Sequence, residues 1–274
     1  MSAQRPQQRG SIIDAKDLRY FIRIASKNWY FVAVAIVLAS VLSYLYSYKL
    51  PDVYGATTQI LLKDRDVYDY QSSVYKSLGY TGVYGDIVNQ RRVLTSYDLV
   101  DATLDKLDFD VSYFIVGRFK TSQVHGTLPF TVEIDGLSPK LLGKPFDLRI
   151  VDTEKFTLSY DRDGVIVTKE FAFDKEERNT DFILTVHKSP YLLDSTISTY
   201  SQTDYQFIRY ARSAMVAKFI SRMLVVNHEF TTILQVAVED EVDIRAKQFL
   251  DTLSKVYIDY TLKSEVEINE NTVR

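Results

Sequence analysis

The chain has 274 residues, 25% charged and 46% hydrophobic, with a net charge of −3, no cysteine and three histidines. A cysteine-free chain has no disulfide framework and no thiol catalysis, so any domain outside the cytoplasm must rest on its core alone. The acidic balance gives nucleic-acid binding no electrostatic support.

Residues 1–11 are polar, and residues 12–26, with Leu18, Phe21, Ile22 and Ile24, suit a short amphipathic helix at a membrane surface. Residues 29–48 form one uncharged stretch of 20 residues. As a helix it spans roughly 30 Å, the thickness of the hydrocarbon core of a bilayer. Trp29 and Tyr30 at one end and Tyr44, Tyr46 and Tyr48 at the other match aromatic belts at the two interfaces. Six basic against two acidic residues give the first 28 residues a charge of +4, while the remainder carries −7. Positive flanks stay inside, which predicts a cytoplasmic N-terminus (1–27), a transmembrane helix (28–48) and an extracytoplasmic domain (49–274). The apolar core exceeds the ~7–15 residues of a cleaved signal peptide, so a retained anchor is expected. Ala35, Ala39 and Ser43 recur every fourth residue. This is either a face for close helix packing or ordinary small residues in lipid.

The 226 residues from Lys49 onward suffice for one large domain or two small ones. Leu50-Pro51 ends the apolar helix. Residues 53–63 read as a strand with Tyr54, Ala56, Thr58, Ile60 and Leu62 on one side. Residues 64–85 are irregular and rich in tyrosine. Tyr68, Tyr70, Tyr75, Tyr80 and Tyr84 could stack on sugar rings or simply pack a long loop. Residues 86–107 read as helical, with Ser96 as an internal cap before Leu99, Val100, Thr103, Leu104 and Leu107.

Residues 110–188 turn to strand patterns. Val111, Tyr113 and Ile115 alternate, as do Phe130, Val132 and Ile134, and Phe146, Leu148 and Ile150. Asp161-Arg162-Asp163-Gly164 separates two alternating runs, a hairpin signal rather than half a calcium loop. Residues 182–186 make another strand. Asp204 is read as the cap of a helix carrying Phe207, Ile208, Ala211, Met215, Phe219 and Ile220. Residues 224–226 look extended, and residues 231–238 alternate as a strand, with Thr231, Ile233 and Gln235 on one side. From Asp243, apolar residues fall at Ala246, Phe249, Leu250, Leu253, Val256, Tyr257 and Tyr260, the spacing of a long amphipathic helix. The class expected is α+β: a single N-terminal transmembrane helix, then a mixed α/β domain ending in a long helix. A mixed sheet backed by residues 86–107 and 243–262 is predicted.

The order of parts resembles the chain-length-determinant (Wzz/Wzc) family of polysaccharide co-polymerases. The resemblance lies in Ile13-Asp14 and Leu18, in Asn28-Trp29, and in Pro51-x-x-Tyr54-x-Ala56 followed by Ile60-Leu61-Leu62. It continues through Asn89-Gln90, Ser96-x-x-Leu99-Val100, and Thr232 to Val236. In the last helix it rests on Ala246-x-x-Phe249-Leu250-x-x-Leu253-x-x-x-Tyr257. Ser112-Tyr113-x-x-x-Gly117 with Leu128-Pro129-Phe130 is similar to the variant fused to a tyrosine autokinase. There are departures. The proline usual just before the Ala246 helix is missing, residues 190–222 look like an insertion, and a second membrane helix would lie beyond Asn271-Thr272.

The resemblance implies a homo-oligomeric ring in the bacterial inner membrane with its main domain in the periplasm. Its partners would be a polysaccharide polymerase and the export machinery, with glycan contact, no nucleic acid and no cofactor. It also implies a cytoplasmic tyrosine kinase beyond the residues shown. The chain itself has no G-x-x-x-x-G-K-[ST] loop, since Gly79, Gly82 and Gly85 precede no Lys-Ser/Thr. It has no nucleophile elbow and no arguable catalytic carboxylate pair. His125, His187 and His228 have no ligand partners at metal-binding spacing. Glu239-Asp240-Glu241 with Asp243 could hold calcium, or could stabilise a helix N-terminus by charge. Two other functions fit less well: the extracytoplasmic sensor of a signalling receptor, and an anchored glycan-acting enzyme.

Overall fold

A computed structural model describes residues 23, 27, 29–62, 82–227 and 231–273. Of these, the side chains of 82–86, 265 and 267–273 are outside the description. The chain divides into two units, Met1–Leu50 and Pro51–Arg274.

The first unit holds α1, Trp29–Lys49, a continuous helix with none of its residues buried. It is long and apolar enough to cross a membrane. The expected helix within residues 12–26 falls largely outside the described residues.

In the second unit, β1 is Tyr54–Leu61, α2 Gly82–Leu94 and α3 Tyr97–Asp105. The strands that follow are β2 Val111–Val116, β3 Thr121–Val124, β4 Phe130–Asp135, β5 Phe146–Ile150, β6 Lys155–Arg162, β7 Val165–Ala172, β8 Glu177–Arg178 and β9 Ile183–Lys188. The short helix α4, Ile197–Tyr200, leads into β10, Asp204–Arg209. The chain closes with α5 Arg212–Ser221, β11 Met223–Asn227, β12 Ile233–Asp240 and the 31-residue α6, Asp243–Val273.

These elements build two cores. The first holds Leu94, Leu99, Leu104, Phe109, Phe219, Val236, Phe249 and Leu253 among its buried residues. It lies between the antiparallel sheet β1-β12-β11 and helices α2, α3, α5 and α6. The half-buried positions of β1 are Ala56, Thr58 and Ile60, the alternation its sequence predicts, whereas Tyr54 is exposed. The second core is all β. Its walls are the six-stranded sheet β3-β2-β10-β5-β6-β7 and the three-stranded sheet β4-β9-β8. Phe146 lies on Phe207 of β10 with ring centroids 5.0 Å apart, and Phe182 meets its edge at 5.7 Å. Val132 N–H of β4 donates to the Tyr113 hydroxyl of β2 at 2.9 Å, joining the two sheets. Burial drives the Tyr113 phenol up to about 12, against the lowering effect of that bond.

The chain leaves the first core after Phe109 and rejoins it at Met215. The β module, 111–209, is therefore an insertion between α3 and α5. The expectation of a mixed sheet is corrected: the described residues form three sheets, and every strand pair among them is antiparallel. The helix expected from Asp204 is corrected too. Residues 204–209 form a strand at the centre of the six-stranded sheet, and Ala211, extended at φ −61° and ψ 142°, starts the helix only at Arg212. Tyr205 and Phe207 are buried at a period of two. Their spacing merges with the helical spacing of Met215 and Phe219, which disguises the boundary in the sequence.

Candidate functional site

The strand β12 buries alternate residues, Leu234, Val236 and Val238, and the next position on that face is Asp240. A carboxylate is thus carried into the core at the point where the strand becomes α6. It is met by Arg245, also 1% exposed, in the first turn of the helix. Arg245 Nε stands 3.8 Å from Asp240 Oδ2, an ion pair without a hydrogen bond, while Nη1 donates to Ser112 Oγ at 3.3 Å. The guanidinium lies over the Phe109 ring at 4.6 Å, within cation–π reach. Phe109 in turn stacks on Phe219, and Phe219 on Phe249. Burial pushes the Arg245 guanidinium below its ordinary value, opposed by Asp240 and Glu241. Arg245 comes from the last helix, Phe109 from the chain's exit to the inserted module, and Ser112 from the module's first strand. One side chain therefore ties the insertion to the helical core.

Beside this pair a cleft opens between β3, the start of β1 and the N-terminus of α6, lined by Tyr54, Gly55, Gln123, His125, Asp243 and Lys247 among others. The turn into β3 is tight. Gly117 N–H donates to Lys120 O, and a Cβ at Gly117 would meet that oxygen at 2.7 Å. Lys120 Nζ pairs with Asp52 at 2.7 Å. Gln123 is 8% exposed, and neither its amide oxygen nor its nitrogen has a hydrogen-bond partner among the described residues. His125 meets the Phe109 ring edge-on at 5.3 Å. Burial and the Arg245 charge lower its pKa, with Asp108 and Asp240 opposing. The acidic run is dispersed among separate partners. Asp240 Oδ1 accepts from Val242 N–H, Glu241 pairs with Arg222 at 3.0 Å, and Asp243 Oδ1 accepts from Ile244 N–H. These carboxylates organise the strand-to-helix junction rather than converge on one point.

The residues singled out by family motif lie as follows. Pro51 and Tyr54 both line the cleft. Ser96 is the N-cap of α3, its Oγ accepting from Leu99 N–H at 3.3 Å, and Leu99 is buried. Pro129 O accepts from Ser189 N–H, and Phe130 is buried between Tyr113 and Tyr205. Ala246, Leu250, Leu253 and Tyr257 form the buried face of α6, and Tyr257 Oη donates to Gln90 Oε1 at 2.8 Å. Tyr260, expected on that face, is exposed, because α6 runs past the core after Tyr257. On α1, Ala35, Ala39 and Ser43 are all exposed. Ala39 and Ser43 line a shallow groove with Ser40 and Ser47.

His187 is flanked by Asp174 at 3.2 Å and Glu133 at 3.4 Å. His228 and the tyrosines 68, 70, 75 and 80 lie outside the described residues, as does the side chain of Tyr84. Sequence reasoning missed Gln123 and Arg245. A single polar residue in a strand, or on an otherwise polar helix turn, carries no signal until the register buries it.

Residues 15–107 match the family model described as chain length determinant protein, Wzz. No curated protein matches the chain. Two crystal structures of FlgL from Xanthomonas campestris are similar at 7% and 11% identity, covering 60% and 61% of this chain and 51% and 53% of theirs. Their TM-scores of 0.25 and 0.24 carry no argument about fold or function. This chain spans about half the length of those two structures. From Ala15 to Leu107, through α1, β1, α2 and α3, the chain is thus similar to chain length determinant proteins of the Wzz family.

Proposed function

We propose that the protein is a polysaccharide co-polymerase. It self-associates as a ring in the bacterial inner membrane and sets the length of a cell-surface polysaccharide (exopolysaccharide, capsule or O-antigen) built by a separate polymerase. The observation that carries this reading is the match of residues 15–107 to the chain length determinant family. In this reading residues 1–27 are cytoplasmic, residues 28–48 cross the membrane and the domain from 49 onward is periplasmic. The charge asymmetry across α1 supports that orientation. The small-residue face of Ala35, Ala39 and Ser43 serves helix packing between subunits. A second membrane helix and a cytoplasmic tyrosine kinase following α6 belong to the same reading, supported by the resemblance of residues 112–130 to the kinase-fused variant. The intact mass of the polypeptide extracted from membranes tests that extension.

The function itself is tested by deleting the gene and resolving the surface polysaccharide by size. The expected outcome is loss of the wild-type length distribution, restored by the full protein. An unchanged distribution would sink the proposal.

A further inference from the structure

We propose that the cleft between β3, the start of β1 and the N-terminus of α6 binds an uncharged segment of the polysaccharide, with the Gln123 amide at its floor. This rests on the co-polymerase reading and names the ligand within it.

A buried amide with neither atom paired costs free energy on both its donor and its acceptor side. Gln123 is in that position and lines the cleft. The ligand that answers it must both donate and accept within a short span. Sugar hydroxyls do both, whereas a carboxylate or phosphate only accepts and an ammonium only donates. Charge points the same way. Lys120 is taken by Asp52 and Glu241 by Arg222, which leaves Asp243 against Lys247. The helix N-terminus would favour an anion, but the Asp243 carboxylate already accepts a backbone N–H there. His125 is held toward its neutral form by burial and by Arg245. An acidic polymer thus meets no net attraction. Tyr54, half exposed at the cleft wall, supplies the aromatic face on which a sugar ring stacks. Beside it Gly55 has no atom within 4 Å of where a Cβ would stand, so a ligand can approach the backbone.

The test uses the full chain in mild detergent. The probes are the neutral and acidic fractions of a partial hydrolysate of the host's own surface polysaccharide, and binding is read by saturation-transfer NMR. The neutral fraction should bind. Gln123→Leu should weaken that binding by about fivefold or more while leaving the melting temperature equal or higher, since it replaces an unpaired buried amide by an apolar group. Tyr54→Ala, at an exposed position, should weaken binding without unfolding the domain. No binding of the neutral fraction, binding unaffected by Gln123→Leu (as a water-filled cleft would give), or preference for the acidic fraction would each overturn the inference. The deletion strain separates the two failures. If polymer length depends on the protein but no neutral glycan binds, only the cleft assignment falls; if polymer length does not depend on it, the function falls too.

Discussion

Arg245 and Asp240 sit five residues apart across the strand-to-helix junction, and both are almost wholly buried. Removing one partner leaves the other charge in the core. Arg245→Leu is therefore expected to cost about 3–5 kcal/mol, measured by denaturant unfolding of the domain. Pairing Asp240→Asn with Arg245→Met should recover most of that loss, because the neutral amide keeps its acceptor for Val242 N–H. A double variant no better than the single would mean that the cation–π contact with Phe109, not the ion pair, dominates. His187 behaves differently. Its partial burial lowers its pKa, but the hydrogen bonds to Asp174 and Glu133 outweigh this, and the net shift is upward. A raised folded value stabilises fully below the unfolded value of about 6.5, and the stabilisation is lost as pH rises through the folded value. Wild type should therefore melt higher than His187→Gln at pH below about 6.5, by no more than about 2 °C for so exposed a pair. The difference should vanish as pH climbs past the folded value, and a gap constant across that window would refute the linkage. Ser96 was legible as a cap from its place before an apolar helical run. Arg245 was not, since only the register of β12 makes Asp240 a core residue.

Among elements, the β6–β7 hairpin was the most legible. Asp163 and Gly164 both have positive φ, 52° and 88°, and Asp161 Oδ1 accepts from Gly164 N–H at 2.7 Å. The register pairs Arg162 with Val165, so the loop has two residues. Nothing lies within 4 Å of a Cβ at Gly164, which leaves backbone strain as the sole penalty for a side chain there. Gly164→Ala should cost about 1 kcal/mol in thermal unfolding, and Gly164→Asn less, because asparagine tolerates the left-handed region. A neutral Gly164→Ala would show that the turn relaxes to another type. The element that misled was β10. Local periodicity ran helix-like across its end, and tertiary pairing decided otherwise. Antiparallel contacts to β2 and β5 on its two edges satisfy its backbone, and Phe207 stacking on Phe146 fills the module's centre. Likewise β3 and β8 were invisible in the sequence. Each is short, and the burial patterns of Thr121–Val124 and Glu177–Arg178 show no sustained alternation.

At the scale of the whole molecule, the sequence conveyed a helix able to cross a membrane, an α+β class and a long final helix. The nesting of one core inside another was not legible, because insertion is a statement about which distant segments meet. Phe109 and Met215 return to one core from positions over a hundred residues apart, and no local pattern encodes that closure. The same view isolates a surface that the fold leaves unused. Past Tyr257, α6 carries Ile258, Leu262 and Val266 at four-residue intervals, all exposed. These three apolar side chains share one side of the helix as a stripe and have no partner among the described residues. Under the co-polymerase reading its occupant is a second copy, and lateral association through this face closes the ring. Ile258→Glu with Leu262→Glu places carboxylates on the stripe without touching either core, so the domain's melting temperature should stay within about 2 °C of wild type. In mild detergent, mass photometry of the full chain should shift from a discrete oligomer to smaller species for this variant. The corresponding change on α1, Ala39→Leu with Ser43→Leu, fills the shallow groove there and tests the membrane-embedded contact separately. If the glutamate variant keeps the wild-type oligomer while the α1 variant loses it, assembly runs through the membrane helix and the stripe on α6 is left for another partner. If neither variant changes the oligomer, both faces are excluded as subunit contacts.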